Sequence, residues 1–402
     1  MPDLAFVPSF PPGLSQLTLF GGLLVLGLVA GEAFRRYLSL PRITGYAVAG
    51  VLLGPEVSGL LSRDTLFELR LLVDLSIGLV VFELGYRLNA DWLRRNRWLS
   101  LAALAESALC FGAIYATLAV LGFRPILAAT AAAIGTATSP AVVMLVSNEL
   151  RSEGQVTERM LLFTAVNTVF AFVMLTLLLP FLHIEQQADW RMAVLHPVYV
   201  FAGSLLAAYL GCALLLYLAR WAGKREERQF VLLIGVVVLT IGVAHSLNFS
   251  VPLAVLALGV LARNRDRGHA LLPVRLGSAA QLFFVILFVL TGASLEFHAF
   301  GTAAVGAVLA FIVVRFLGKA LAVVALGRAS GISLRASGWL AVSLLPMSGL
   351  AVVMVRDTVT LYPSFGRELG AVVLSVIVVL ELLGPIATQW ALRRAGEAKP
   401  DG

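Results

Sequence analysis

The sequence predicts an all-α integral membrane protein with about thirteen transmembrane helices, and three observations support this prediction. Of the 402 residues, 59% are hydrophobic and only 13% are charged, whereas soluble domains carry about 25% charged residues. The apolar runs are long and unbroken, as in residues 231–244 and 371–380, so they lack the polar–apolar alternation of a transmembrane β-barrel. The mean hydropathy of +0.93 excludes a soluble enzyme and a disordered chain.

Thirteen apolar stretches are separated by charged residues or by Gly and Pro. Each is predicted to cross the membrane, because a span needs roughly 20 apolar residues, or fewer where the helix is broken. No soluble domain of useful size fits between them, so the chain is predicted to be one transmembrane domain. The predicted spans are approximately 16–34, 43–60, 67–88, 98–121, 125–148, 159–182, 195–219, 229–247, 250–263, 278–297, 300–326, 335–356 and 367–391.

The basic residues predict the orientation of these spans. Of the 30 Lys and Arg residues, 22 follow odd-numbered spans and six follow even-numbered spans. By the positive-inside rule the N-terminus lies outside and the C-terminus in the cytoplasm. The same rule explains the net charge of +7 without nucleic acid as a partner. We expect a lipid bilayer around the chain, in a bacterial inner membrane or plasma membrane.

The thirteen spans allow two halves of six around a linker span at 195–219. The halves, approximately 16–182 and 229–391, would be inverted repeats, because they are offset by seven spans and so have opposite orientations. Spans 5 and 12 become equivalent, and both are interrupted: Thr-Ala-Thr-Ser-Pro at 136–140 and Leu-Pro-Met-Ser-Gly at 345–349. A matched pair of broken helices indicates a binding site near the membrane midplane. The alternative is that Pro and Gly only kink two packed helices.

Several stretches, in order along almost the whole chain, carry a family resemblance. They are Leu-Pro-Arg-Ile-Thr-Gly-Tyr at 40–46, Ala-Gly-Val-Leu-Leu-Gly-Pro at 49–55, Phe-Glu-Leu-Gly at 82–85, Thr-Ser-Pro-Ala-Val-Val at 138–143, residues 283–295, Leu-Leu-Pro at 344–346 with Gly349, and Glu-Leu-Leu-Gly-Pro at 381–385. Together they resemble the monovalent cation/proton antiporter superfamily, in particular sodium or potassium/proton exchangers of the cation/proton antiporter-2 type.

The resemblance implies a sodium/proton antiporter-like fold with crossed broken helices, a homodimer and elevator-like alternating access. The implied function is secondary active exchange of Na⁺ or K⁺ for H⁺, with no cofactor besides the transported ions. No Walker, Rossmann, GxSxG or HExxH motif occurs in the sequence, so no enzyme activity is predicted.

One position departs from the family pattern. The family usually carries Asp-Asp or Asn-Asp in its sixth span, and the second Asp binds the ion. The matching residues here are Asn167 and Thr168, and no Asp or Glu occurs between Glu158 and Glu185. Two alternatives therefore stay open: a degenerate homologue that acts as a sensor or subunit without coupled transport, and a carrier of another solute, such as an anion attracted to Arg315.

Another ionisable residue of the spans could replace the missing sixth-span Asp, because ionisable residues are costly in hydrocarbon and usually functional. Glu83 is the first candidate, since it matches a third-span glutamate that the resemblance associates with cation binding. Thr164 lies on the same helix face as Thr168, four residues away. We expect an oxygen cage for Na⁺ or K⁺ from Glu83, Thr138, Thr164, Asn167 and Thr168, with backbone carbonyls freed by the break at Thr138. Ser139, at the same break, is a further ion-binding candidate. The alternative for Glu83 is an ion pair with Arg87, one turn later.

A single carboxylate also predicts the stoichiometry of exchange. Protonated Glu83 would carry one H⁺ and ionised Glu83 one cation, so exchange would be 1:1 and electroneutral. The empty, ionised carrier would be held back because moving an uncompensated buried charge costs several kcal/mol.

The remaining candidates are basic or secondary. Arg315 matches the family's basic residue in the eleventh span and is expected to need an acidic counter-ion, because an isolated buried guanidinium is prohibitive. The acids considered for it are Glu83, Asp74 and Glu381. Lys319 either joins the site or extends to the membrane interface. Asp74, Lys319, Ser348 and Glu381 are secondary site candidates, a structural role is favoured for Glu381, and Glu106 is left without a role.

Overall fold

The structure is a computed structural model that describes residues 15–184, 190–266, 271, 277–295, 304–347, 349–361 and 363–399. These residues form seventeen α-helices and no β-strand, so the all-α prediction is confirmed. The helices are α1 (Gln16–Leu38), α2 (Arg42–Leu53), α3 (Arg63–Glu68), α4 (Arg70–Arg87), α5 (Ala90–Arg95), α6 (Arg97–Val120), α7 (Pro125–Thr136), α8 (Pro140–Glu149), α9 (Gln155–Ile184), α10 (Trp190–Ala222), α11 (Glu226–Ser246), α12 (Val251–Arg265), α13 (Gly277–Ala293), α14 (Ala304–Gly327), α15 (Leu334–Ser343), α16 (Gly349–Leu361) and α17 (Pro363–Ala395).

Within the described residues, eight helical segments are long and apolar enough to cross a membrane, with α7 and α8 forming one of them. Shorter apolar helices, including α2 and α13, lie between them. Large hydrophobic side chains such as Leu26 on α1, Leu206 on α10 and Leu309 on α14 are exposed on the protein surface. A surface of this kind suits contact with lipid tails.

The helices pack as two bundles joined by α10. The flanking bundle contains α1, α2, α4, α11, α12 and α13, and its most extensive contacts are between α4 and α12 and between α2 and α13. The crossing bundle contains α6 to α9 and α14 to α17, and its main contact joins α6 to α14. Helix α10 packs against both α9 and α12, so it bridges the two bundles.

Glycine permits a very close helix contact in the flanking bundle. A methyl group added at Gly85 of α4 would overlap the carbonyl oxygen of Leu256 on α12, and one added at Gly259 would overlap that of Phe82. Small residues allow two backbones to approach this closely in a membrane. This contact holds α4, which carries Glu83 and Asp74, firmly against α12.

Both predicted helix interruptions are present. Helix α7 ends at Thr136 and α8 begins at Pro140, while α15 ends at Ser343 and α16 begins at Gly349. Proline lacks the N–H that would continue a helix, and it disfavours helical geometry at the residue before it. Pro140 and Pro346 therefore end the hydrogen-bond ladders of both spans in the interior of the crossing bundle.

Candidate functional site

The two interrupted segments contact each other directly. The backbone N–H of Ser139 donates to the carbonyl oxygen of Pro346 at 3.0 Å, and the Thr138 hydroxyl donates to Leu344 O at 3.3 Å. Each break leaves helix-end carbonyl groups without partners in their own helix. The crossing therefore concentrates partial negative charge from the C-terminal ends of α7 and α15.

Arg315 of α14 binds these carbonyl groups. Its Nε donates to Gly135 O at 2.7 Å, its Nη1 to Leu345 O at 2.7 Å, and its Nη2 to Ala137 O at 2.9 Å and, at 3.4 Å, to Pro346 O. The side chain is fully buried. One guanidinium thus holds both breaks together and satisfies their carbonyl oxygens.

The prediction that Arg315 pairs with one of three acidic residues was wrong. No ion pair in the described part of the chain joins it to Glu83, Asp74 or Glu381. The sequence argument treated the guanidinium as isolated, whereas the broken helices supply it with carbonyl oxygens. These carbonyl groups carry the negative ends of two helix dipoles, so they bind the guanidinium in place of any of these three carboxylates.

Lys319 lies one turn further along α14 and forms a buried ion pair with Glu106 of α6. The Lys319 Nζ to Glu106 Oε1 distance is 2.7 Å, and both side chains have 0% exposure. The ammonium also donates to Thr136 O at 3.0 Å and to the Thr138 hydroxyl at 3.2 Å. Lys319 does not extend to an interface, because these three acceptors hold it at the crossing.

Polar side chains from α6 and α9 complete this arrangement. Asn167 Nδ2 donates to Thr138 Oγ1 at 3.0 Å and lies 3.4 Å from Glu106 Oε1. The Ser107 hydroxyl donates to Asn167 Oδ1 at 2.7 Å and lies 3.4 Å from Glu106 Oε2. Glu106, Ser107, Thr138, Asn167 and Lys319 are called the crossing cluster below.

Two further candidates lie beside this cluster without joining its hydrogen bonds. The Thr164 hydroxyl donates to Met160 O at 2.7 Å, and the Thr168 hydroxyl donates to Thr164 O at 2.8 Å. Both hydroxyl protons are therefore used within α9. Ser139 caps α8 by accepting from Val142 N at 3.3 Å, so its side chain fixes the start of that helix.

Glu83 lies apart from the crossing cluster. Its Oε1 accepts from Arg87 Nη2 at 2.9 Å, and the same nitrogen donates to Asn148 Oδ1 of α8 at 2.9 Å. Among the described residues, no hydrogen bond joins Glu83 to Thr138 or to the three candidates of α9. The expected five-residue cage is therefore not assembled here, because Glu83 forms the ion pair with Arg87 that the sequence left as the alternative.

The other secondary candidates are dispersed. Asp74, at the opposite end of α4 from Glu83, lies 3.8 Å from Arg70 Nε and 3.8 Å from His245 Nε2. Glu381 of α17 is buried, and neither of its oxygens has a hydrogen-bond partner within the described residues. Ser348 lies outside the described residues.

A cavity of about 740 Å³ opens at the Asp74 end of α4, between the two bundles. Asp74, His196 and His245 line it, together with Ile77 and Leu350. Ile77 and Leu350 also line a second cavity of about 10 Å³ that reaches Ser139. An apolar layer thus separates the large cavity from the crossing.

The opposite end of α4 is tied to the crossing bundle by polar contacts. Besides the Arg87–Asn148 hydrogen bond, the backbone N–H of Arg42 donates to Glu149 Oε2 at 3.2 Å, and Gln389 Nε2 of α17 donates to Ser39 O at 3.3 Å. Each of these contacts joins the flanking bundle to the crossing bundle. The two bundles therefore meet through polar contacts at this end and are separated by a cavity at the other.

Sequence reasoning did not assign a role to Glu106. One signal could have helped: Arg315 and Lys319 are four residues apart, so they share a helix face, and a lysine beside Arg315 would also face the crossing. The pairing of Lys319 with Glu106, 213 residues away, has no sequence signal of its own.

Two discontinuous helices that cross inside one bundle, beside a second bundle and a cavity, define a membrane transporter of the crossed-helix class. Residues 21–394 match the sequence model of the family described as sodium/hydrogen exchanger, transmembrane. The chain belongs to this family, and it is therefore an integral membrane cation/proton antiporter. No curated protein sequence matches the chain.

The fold is similar to that of the sodium proton antiporter MjNhaP1 from Methanocaldococcus jannaschii. A structure of that protein at pH 8 has a TM-score of 0.70 and 15% identity, over 96% of this chain and 100% of the other. An electron-microscopy structure of it has a TM-score of 0.73 and 16% identity, over 96% and 99% of the two chains.

Proposed function

We propose that this antiporter exchanges Na⁺ or K⁺ for H⁺ in a 1:1, electroneutral cycle at the crossing of its broken helices. The observation that carries the proposal is the buried Glu106–Lys319 pair in contact with Thr136 and Thr138 at the first break. A carboxylate, hydroxyl groups and freed carbonyl groups supply the oxygen atoms that hard monovalent cations favour.

The proposed movement is elevator-like, with the crossing bundle sliding against the flanking bundle. Its support is the asymmetry between the two ends of α4. In this conformation the Asp74 end borders a cavity, and polar contacts close the Arg87 end. The cycle requires that the contacts of Arg87, Arg42 and Gln389 break while the apolar layer at Ile77 and Leu350 opens, or the reverse.

By the positive-inside rule the Arg87 end of α4 faces the cytoplasm, and the conformation described is then open to the outside. The N-terminus would lie outside and the C-terminus in the cytoplasm of a bacterial inner membrane or plasma membrane. We further propose a homodimer that pairs through the flanking bundle, whose helix α1 presents exposed Leu and Val side chains.

Anion transport is disfavoured by the same geometry. Arg315 donates to four carbonyl oxygens and does not border the large cavity. Its guanidinium is thus committed to the crossing rather than offered to a solute.

Reconstitution in proteoliposomes tests the proposed exchange. A pH gradient is imposed, Na⁺, K⁺, Li⁺ or choline is added, and proton movement is recorded with a fluorescent dye. We expect dissipation with Na⁺ or K⁺ but not choline, at a rate that does not respond to an imposed membrane potential. A rate that follows the potential would contradict 1:1 exchange. No cation-dependent flux from folded protein would contradict cation/proton exchange by this chain.

A further inference from the structure

The crossing of the broken helices contains more positive than negative charge. Arg315 and Lys319 both lie fully buried at the crossing, and Glu106 is the carboxylate that contacts it within the described residues. Arg315 is matched by helix-end carbonyl groups, so Glu106 and Lys319 balance each other. A further cation cannot enter this low-dielectric site unless one positive charge leaves it, because an uncompensated buried charge costs several kcal/mol.

The hydrogen bonds of Glu106 are unequal. Oε1 accepts from the Lys319 ammonium at 2.7 Å, while Oε2 has one long contact, at 3.4 Å, to the Ser107 hydroxyl. An ionised carboxylate oxygen usually accepts shorter hydrogen bonds than this. Oε2 is therefore the less saturated oxygen of this carboxylate, and it lies beside the Ser107 hydroxyl, a further oxygen ligand, whereas the Asn167 amide contacts Oε1.

We propose that Glu106 is the cation-binding carboxylate of this antiporter and that Lys319 is an internal cation which the substrate ion displaces. This inference rests on the exchange proposed above. In the absence of substrate, Lys319 neutralises Glu106 and uses three acceptors, the full donor capacity of an ammonium group. When Na⁺ or K⁺ binds, the Glu106–Lys319 pair releases one proton to water, and its remaining charge of −1 balances the bound cation.

The pair together with the bound cation thus has a net charge of zero, the same as the protonated pair alone, which is the condition for electroneutral exchange. Substrate and proton compete for one site, so the apparent affinity for the cation falls as the pH falls. Asn167 acts as a positioning residue, because it joins Glu106 to Thr138 at the helix break. Glu83 has no part in cation binding on this account.

The test uses cation-dependent thermal stabilisation of the purified full chain in detergent, because ligand binding to the folded state raises Tm. Wild type, the double variant Glu106→Gln with Lys319→Gln, and Glu83→Gln are compared in Na⁺, K⁺ and choline at equal ionic strength. The double variant removes both charges together, which avoids the uncompensated charge left by a single substitution. We expect Na⁺ or K⁺ to raise the Tm of wild type and Glu83→Gln but not of the double variant.

Reconstituted flux gives the second readout. We expect cation-dependent proton flux in the double variant to be more than about tenfold below wild type. A folded double variant that keeps the Tm rise and the flux would overturn the proposal, as would loss of the Tm rise in Glu83→Gln alone. If wild type shows no flux and no Tm rise with any cation, the proposed exchange itself is contradicted. If wild type shows both and the double variant keeps both, only the assignment of Glu106 is contradicted.

If the double variant does not fold, the conservative variant Glu106→Asp still tests the proposal. It retains the carboxylate but withdraws it by one methylene from Lys319 and Asn167. We expect it to keep cation-dependent flux with an altered apparent affinity or an altered preference between Na⁺, K⁺ and Li⁺. Unchanged affinity and preference would overturn the proposal.

Discussion

Within the described residues, two buried glutamates each pair with a basic residue, and the two pairs are built differently. Glu83 and Arg87 lie one turn apart on α4, and the Arg87 side chain is 35% exposed. Glu106 and Lys319 come from different helices and are both fully buried. A local pair closes a contact between bundles, whereas the long-range pair lies where two broken helices supply backbone carbonyl groups. The burial and partners of a carboxylate, not its presence in a span, therefore indicate its role.

Removing Arg315 is expected to have the largest effect. Arg315→Ala leaves carbonyl oxygens of both breaks without a donor in the protein interior, and each buried unsatisfied group costs about 1–3 kcal/mol. We expect a Tm far below wild type or loss of a monodisperse protein, measured by thermal unfolding and size-exclusion chromatography in detergent. Arg315→Lys is the control, because it keeps the charge but cannot reach all the carbonyl groups. Its Tm should lie between those of wild type and Arg315→Ala. A Tm of Arg315→Ala within about 2 °C of wild type would contradict the structural role of Arg315.

The second largest loss of stability is expected when the Glu106–Lys319 pair is broken. Glu106→Gln alone leaves the Lys319 ammonium buried without its carboxylate and is expected to cost about 3–5 kcal/mol. Adding Lys319→Gln should recover part of this loss, because the double variant contains no uncompensated charge. Chemical unfolding of both single variants and the double variant measures the coupling between the two sites. Strictly additive losses would show that the two side chains do not interact as described.

A smaller effect is expected for the Arg87–Asn148 hydrogen bond at the closed end of α4. Arg87→Gln and Asn148→Ala each remove the hydrogen bond between α4 and α8, so their effects on stability should be coupled by about 0.5–1.5 kcal/mol. The same variants should change the rate of transport while keeping the cation-dependent rise in Tm. Loss of that rise in Arg87→Gln would place Glu83 and Arg87 in the binding site instead of at the contact between bundles.

The smallest effect is expected for an exposed pair. Lys399 and Glu153 are 2.8 Å apart with side chains 52% and 75% exposed, and solvent-exposed ion pairs contribute about 0–1 kcal/mol. Lys399→Gln should therefore leave stability and flux close to wild type at physiological salt. A large loss would show that the ion pair is not the main contact that Lys399 makes.

Much of the fold could be predicted from the sequence because apolar runs and prolines act locally. The apolar runs predicted the all-α membrane class, and Pro140 and Pro346 predicted the two helix interruptions. The thirteen-span count is not settled by length and composition alone, because several spans are short or broken. Only eight helical segments among the described residues are long and apolar enough by themselves.

The site was harder to predict because its contacts join distant parts of the chain. Thr138 and Asn167 were named from the sequence and do lie in the crossing cluster. The partners of Arg315 were missed because the carbonyl groups that bind it exist as free acceptors only after the helices break. Glu106 was left without a role because its partner, Lys319, lies on a helix of the other predicted repeat.

The most direct test of the central claim is to locate the bound cation. Thallium(I) is a monovalent cation that scatters X-rays anomalously, and crystals of the protein grown with it would place the ion by its anomalous density. The account predicts a peak within coordination distance of Glu106, with Lys319 withdrawn from that carboxylate. A peak beside Glu83, or an occupied site elsewhere with the Glu106–Lys319 pair intact, would contradict it.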